Sequence, residues 1–179
     1  EWFAHNARVG KAFAMLRLHG PEHALPVFEQ SMRAWKQASL PQAAHAAYNL
    51  GVCALDAGKL EVAGNALEDA LRRFEWLGLE HPRILGLRTL AMLHLDAKQW
   101  HLAEPLLEEA IELASRIARP HDVALSQTWL AFLRLGQGKP GEAKELLERL
   151  AAGIQVHLDP LGAGAHLALT LLVRISLGQ

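Results

Sequence analysis

The sequence predicts an all-α fold built from repeated helical hairpins, and three observations carry that expectation. Ala24, Ala63, Ala103 and Ala143 follow one another at steps of 39, 40 and 40 residues, a period typical of stacked repeat units. Other slots keep the same beat. Leucines stand eight residues upstream (Leu16, Leu55, Leu95, Leu135), small residues twelve upstream (Ala12, Gly51, Ala91, Ala131) and large apolar residues four downstream (Phe28, Leu67, Leu107, Leu147). Finally, no stretch alternates polar and apolar residues over the length of a strand. A unit repeated in this way has apolar residues on more than one face, so it gains stability from its neighbours rather than alone.

Each unit reads as two helices. Unit one spans about 1–38, with Gly20-Pro21 as the turn between its helices. In unit two, about 41–78, the run Ala43–Ala57 is rich in strong helix formers and Gly58 supplies the left-handed residue that closes a helix. The second helix of that unit covers Leu60–Leu77, with apolar Leu60, Ala63, Ala66, Leu67, Ala70, Leu71 and Phe74 at three-and-four spacing. Unit three, about 81–118, places helices near Pro82–Asp96 and Trp100–Ile117; unit four, about 121–153, places them near Asp122–Leu135 and Gly141–Ala152. Pro82 and Pro160 fall in first turns, where the missing N–H is harmless, and Asp159 caps a final helix over 159–177. Pro26 and Pro105, two residues after their repeat alanines, sit near the start of second helices, where a kink is easier than a break.

The order of small residue, leucine, turn glycine, alanine, large apolar residue and alanine resembles the tetratricopeptide repeat. The match is fullest in Leu50-Gly51, Gly58, Ala63, Leu67 and Ala70, and is repeated by Leu90-Ala91, Ala103, Leu107 and Ala110, and by Leu130-Ala131, Gly138, Ala143 and Leu147. The resemblance covers nearly the whole chain and implies a right-handed α-α superhelix of about four hairpins plus a final helix. Two departures stand out. The step is about 40 residues rather than the usual 34, and Lys98 replaces the turn glycine in unit three. Longer repeats of this kind are similar to those of large bacterial signalling and transcriptional regulators and of kinesin light chains. The extra residues follow the repeat alanine, so they lengthen the second helix or its exit loop.

Composition narrows the function. The 179 residues, 51% hydrophobic and 21% charged with net charge −1, form one elongated domain with no basic face for nucleic acid and no polybasic membrane surface. The start at Glu1-Trp2-Phe3 and the end at Leu177-Gly178-Gln179 suggest a segment of a larger protein. The one cysteine, Cys53, makes no internal disulfide, and no secretory signal or long apolar span stands out, which fits a reducing, cytoplasmic setting. Cys53 reads as a small buried hydrophobe. The ten histidines show no metal-site spacing: His19 and His23 flank a turn, and no HExxH or CxxC is present. The clusters Glu108-Glu109-Glu112 and Glu142-Glu145-Glu148 are interspersed with Lys144 and Arg149 and read as solvated surface with weak intrahelical pairs. Gly162-Ala163-Gly164 lacks the strand that a phosphate loop needs. With no nucleophile elbow and no serine or cysteine beside an evident base, the chain is read as a non-enzyme without a cofactor.

Surface recognition remains. In the family it resembles, first helices line the inner curve of the superhelix. The matching slots here are Val9, Gly10 and Phe13; Tyr48, Asn49 and Val52; Arg88, Thr89 and Met92; and Thr128, Trp129 and Phe132. Rings, methionine and hydrogen-bonding groups in such a lining suit an extended or helical peptide. Asn49 alone matches the lysine-and-asparagine clamp that some relatives use for a terminal carboxylate, and Gly10 stands where the other asparagine would, which argues against that mode. The leading expectation is an interaction scaffold that binds a peptide or partner domain. The alternatives are an effector-sensing module of a bacterial regulator and a self-association unit that dimerises through exposed array ends.

Overall fold

The computed structural model describes residues 2–35 and 40–156. The final helix expected over 159–177 lies outside the described residues. Eight helices follow in order: α1 (Trp2–His19), α2 (Pro21–Trp35), α3 (Leu40–Asp56), α4 (Leu60–Trp76), α5 (Glu80–Asp96), α6 (Trp100–Arg116), α7 (Pro120–Gly136) and α8 (Pro140–Val156). No strand occurs among the described residues. The chain divides into two compact units, Glu1–Leu93 and His94–Gln179.

From α3 onward every helix has 17 residues and every link has three, so each hairpin with its links accounts for the forty-residue step. The length beyond the usual repeat is therefore taken up as helix, not as loop. Each link closes its helix in the same way. Gly58 N–H donates to the Leu55 carbonyl and Lys59 N–H to that of Ala54; the pattern recurs at Gly78/Leu79, Lys98/Gln99, Ala118/Arg119 and Gly138/Lys139. These paired bonds form the Schellman motif, whose penultimate residue must be left-handed. Gly58, Gly78 and Gly138 take it at φ 69, 64 and 74°, whereas Lys98 and Ala118 take it at φ 56 and 53°. Side chains at those two positions cost about 1–2 kcal/mol each. Pro26 lies inside α2 and Pro105 inside α6, and both helices run through.

The repeat slots are the core. Ala24, Ala63, Ala103 and Ala143 have no exposed surface, and Phe28, Leu67, Leu107 and Leu147 are exposed by at most 1%. The small-residue slot is buried in all four copies, at Ala12, Gly51, Ala91 and Ala131. The leucine slot is looser: Leu95 is buried but Leu16, Leu55 and Leu135 are only half-buried. In the first unit Phe74 fills the space among Ala44, Ala47 and Ala70, while Ala54 and Ala63 pack with Leu93. In the second, Ala131, Ala143, Leu147 and Leu150 form one cluster.

The structure adds a small-residue slot that the sequence comparison passed over: Ala46, Gly86 and Ser126 stand at forty-residue steps, all buried. Its reason is contact between consecutive helices. A Cβ on Gly86 would sit 2.8 Å from Leu71 Cδ2. At Ser126 the slot holds a hydroxyl that finds no hydrogen-bond partner among the described residues, which carries a desolvation cost. Ser126→Ala is expected to raise the unfolding free energy by about 1 kcal/mol, read from the shift of a urea midpoint.

Candidate partner-binding faces on the first helices

The first helices of the hairpins present the candidate residues from faces fixed by the small slots. Because Ala12, Gly51, Ala91 and Ala131 are held against the second helices, the residues three before, two before and one after each of them lie on a neighbouring face of the same helix.

In the first unit Phe13 is 41% exposed and stands edge-on to buried Phe28, with ring centroids 5.2 Å apart. Buried Phe28 thus supports the Phe13 ring, part of which stays open to solvent. On α3, Tyr48, Asn49 and Val52 are all half-buried. Tyr48 lies 6.3 Å from the Phe74 ring, and His45, one turn earlier on the same face, meets that ring edge-on at 5.2 Å. His45 shares this face, although a lone histidine carries no spacing signal in the sequence. On α5, Met92 is half-buried. Thr89 donates its hydroxyl to the Leu85 carbonyl of its own helix at 2.9 Å, and Arg88 already has an interaction partner within the chain. Val9 lies on α1, but its side chain is outside the described residues. Gly10 is exposed and a Cβ there would meet nothing within 4 Å, so its slot offers open space.

In the second unit α7 carries Trp129 and Phe132 as an edge-to-face pair, centroids 5.9 Å apart, with Phe132 40% exposed. Thr128 does not join them. It is 1% exposed and its hydroxyl donates to the Ala124 carbonyl at 2.8 Å, so it packs in the core and is withdrawn from the contact set.

Electrostatics leave these faces almost uncharged. Burial beside Phe74 lowers the His45 pKa below its ordinary 6.5, favouring the neutral imidazole, which can both donate and accept. A depressed folded-state pKa means the unfolded chain takes up the proton first. The contribution of His45 is therefore present above pH 6.5 and lost as pH falls through the folded value. Acidification between about pH 7.5 and 5.5 should lower the urea midpoint of the wild type more than that of His45→Gln. Cys53 is buried, its pKa pushed up to about 11 by desolvation and then by Asp56. Its Sγ–H points to the Pro21 carbonyl at 3.5 Å, which is the inert packing role expected for it.

Charge concentrates instead at the end of α7. Arg134 donates to Glu104 on α6 and, at 2.9 Å, to Gln137 Oε1; Gln137 Nε2 donates to the other Glu104 oxygen at 3.3 Å. Arg134 Nε also pairs with Glu142 on α8 at 3.2 Å, and Lys139 meets the same carboxylate at 3.3 Å. The Arg134 hydrogen bond holds the Glu104 carboxyl below the usual range, and Glu104 in turn raises Arg134. The outer acids Glu145 and Glu148 form the expected weak intrahelical pairs, with Arg149 and Lys144 at 3.7 and 3.8 Å.

A depression of about 380 Å³ in the first unit is lined by Met32, Leu50, Val62 and Ala66 together with Asn65, Asp69, Arg72 and Arg73. Among the described residues no three histidine, cysteine or carboxylate groups converge as a metal site, and no helix is long and apolar enough to cross a membrane.

Comparison with known proteins agrees with this architecture. Two tetratricopeptide repeat models match, one over residues 14–77 and one over 83–154. No curated protein sequence matches the chain. Among solved structures, a kinesin-light-chain-like protein of Podosopora anserina with nearly identical TPR-like repeats superposes with TM-score 0.79 at 22% identity, over 96% of this chain and 85% of that one. A signal transduction ATPase of the STAND type with a tetratricopeptide repeat sensor, from Pyrococcus horikoshii, gives TM-score 0.79 at 13% identity, over 97% of this chain and 27% of that one. A Rap protein complexed with competence and sporulation factor gives TM-score 0.76 at 15% identity, over 92% and 46%. At these identities the structural neighbours speak for the fold alone. Between them the two repeat models take in every one of the forty-residue slots from Leu16 to Leu147, and the chain belongs to the tetratricopeptide repeat family.

Proposed function

We propose that the first-helix faces bind a segment of another polypeptide, and that the chain acts as a non-catalytic interaction scaffold. One observation carries the reading: Phe13 and Phe132, in the same slot of two different first helices, are left 41% and 40% exposed although a ring is costly to leave in water. Within the first unit Tyr48, Asn49, Val52 and Met92 occupy the matching first-helix slots, half-buried, and within the second Trp129 pairs with Phe132; each unit thus offers aromatic and aliphatic area with a few hydrogen-bonding groups. Rings supply apolar area at low entropic cost, and Asn49 and neutral His45 offer donors and acceptors to a peptide backbone. Tetratricopeptide repeats generally mediate protein–protein contacts, and the Rap neighbour is seen complexed with competence and sporulation factor.

The test uses side chains whose loss leaves packing nearly intact. A displayed peptide library selected on the wild-type chain yields binders, whose Kd is measured by fluorescence anisotropy. Phe13→Ser, Asn49→Ala and Phe132→Ser together should weaken those binders by at least about tenfold, equivalent to about 1.4 kcal/mol, with the urea midpoint little changed. Binders that hold the triple variant as tightly as the wild type would show that recognition lies elsewhere.

A further inference from the structure

Helices α4 and α6 are a natural matched pair. Both are second helices of 17 residues and both bury five residues in nearly the same slots: Ala63, Ala66, Leu67, Ala70 and Phe74 against Ala103, Leu107, Ala110, Leu113 and Ala114. Their backbones differ. α4 is bracketed by left-handed glycines, Gly58 and Gly78, and contains no proline; α6 is bracketed by left-handed Lys98 and Ala118 and contains Pro105. Pro105 costs α6 the N–H that would have reached the His101 carbonyl and Ala118 strains its closing turn, while Lys98 strains the turn that closes α5 and leads into α6.

What holds α6 is also different. Trp100, its first residue, lies over Gly136 so closely that a Cβ there would fall 2.5 Å from the ring. One turn on, Glu104 is gripped by Arg134 and Gln137. Both contacts land on the last turn of α7. In α4 the corresponding positions are Leu60, 44% exposed, and Gly64, which has no side chain. We infer that α6 is a latched helix: its backbone is biased to open, and the Trp100 and Glu104 contacts on the end of α7 keep it docked. The second unit thus contains a built-in conformational device, released by whatever neutralises or competes for Glu104, beneath the helix that presents Trp129 and Phe132.

Hydrogen exchange followed by mass spectrometry on the full chain tests this, with α4 as the internal standard. Glu104→Gln preserves shape but removes the charge, and should speed exchange of α6 amides by about tenfold while α4 amides keep their rate. Adding Lys98→Gly and Ala118→Gly to Glu104→Gln should restore α6 protection, because glycine relieves the strain at both links. Unchanged α6 exchange in Glu104→Gln, equal acceleration of α4 and α6, or failure of the two glycines to restore protection would each overturn the proposal.

Discussion

Phe74→Ala should lower the unfolding free energy by about 3–5 kcal/mol, the largest loss expected from any single truncation in the first unit. Phe74 has no exposed surface and is enclosed by Ala44, Ala47 and Ala70. The alanines have no side-chain length with which to move into the space vacated, and Met32, Tyr48, Leu77 and Leu79 pack only at the edge of this cluster as partly buried side chains, so most of the cavity cost would be felt. The ring also supports His45 and Tyr48, at 5.2 and 6.3 Å. Urea unfolding followed by circular dichroism should show the loss directly. A loss below about 1 kcal/mol, well short of the cost of truncating a buried ring, would mean that α3 and α4 collapse onto each other, contrary to the packing described.

Gly51→Ala should be destabilising by about 1–3 kcal/mol, although the other three copies carry alanine in this very slot. The added Cβ would stand 2.6 Å from Leu67 Cγ, 2.8 Å from its Cδ2 and 3.3 Å from its backbone nitrogen. Leu67 is fully buried, so the side chain has little room to swing away and the backbone nitrogen has none. Gly64→Ala provides the opposite case. Its Cβ would meet only Leu93 Cδ1 at 3.9 Å, an ordinary contact, and alanine favours helix over glycine by about 1 kcal/mol. The two substitutions, identical in chemistry and thirteen positions apart, should therefore shift the urea midpoint in opposite directions.

Most of the architecture was legible because repeat burial leaves a periodic trace. Alanines at close approaches and leucines or phenylalanines between helices recur every forty residues, and the helix boundaries follow within a few positions. The link at Ala118 was not legible, since alanine gives no hint of a left-handed backbone; only the hydrogen bonds to Ser115 and Ala114 reveal it. The slot of Ala46, Gly86 and Ser126 was hidden by its three different residue types. The Glu104–Arg134–Gln137 cluster joins positions thirty or more residues apart, and no local pattern links them. At the candidate faces, Phe13 and Phe132 keep 41% and 40% of their surface exposed. Thr128 is buried, because a short hydroxyl side chain can fold back on its own helix, whereas the same slot with Tyr48 or Arg88 cannot hide so much bulk.

The uniform links have an evolutionary corollary. From α3 onward, seventeen helical residues plus a three-residue turn make the length of the array quantised: joining Gly78 directly to Arg119, for instance, would excise one hairpin and leave the spacing of the remaining slots at forty. Recombination between copies can thus lengthen or shorten the array in whole hairpins without redesigning a turn, while an insertion of any other size within a link would break the forty-residue spacing of the slots.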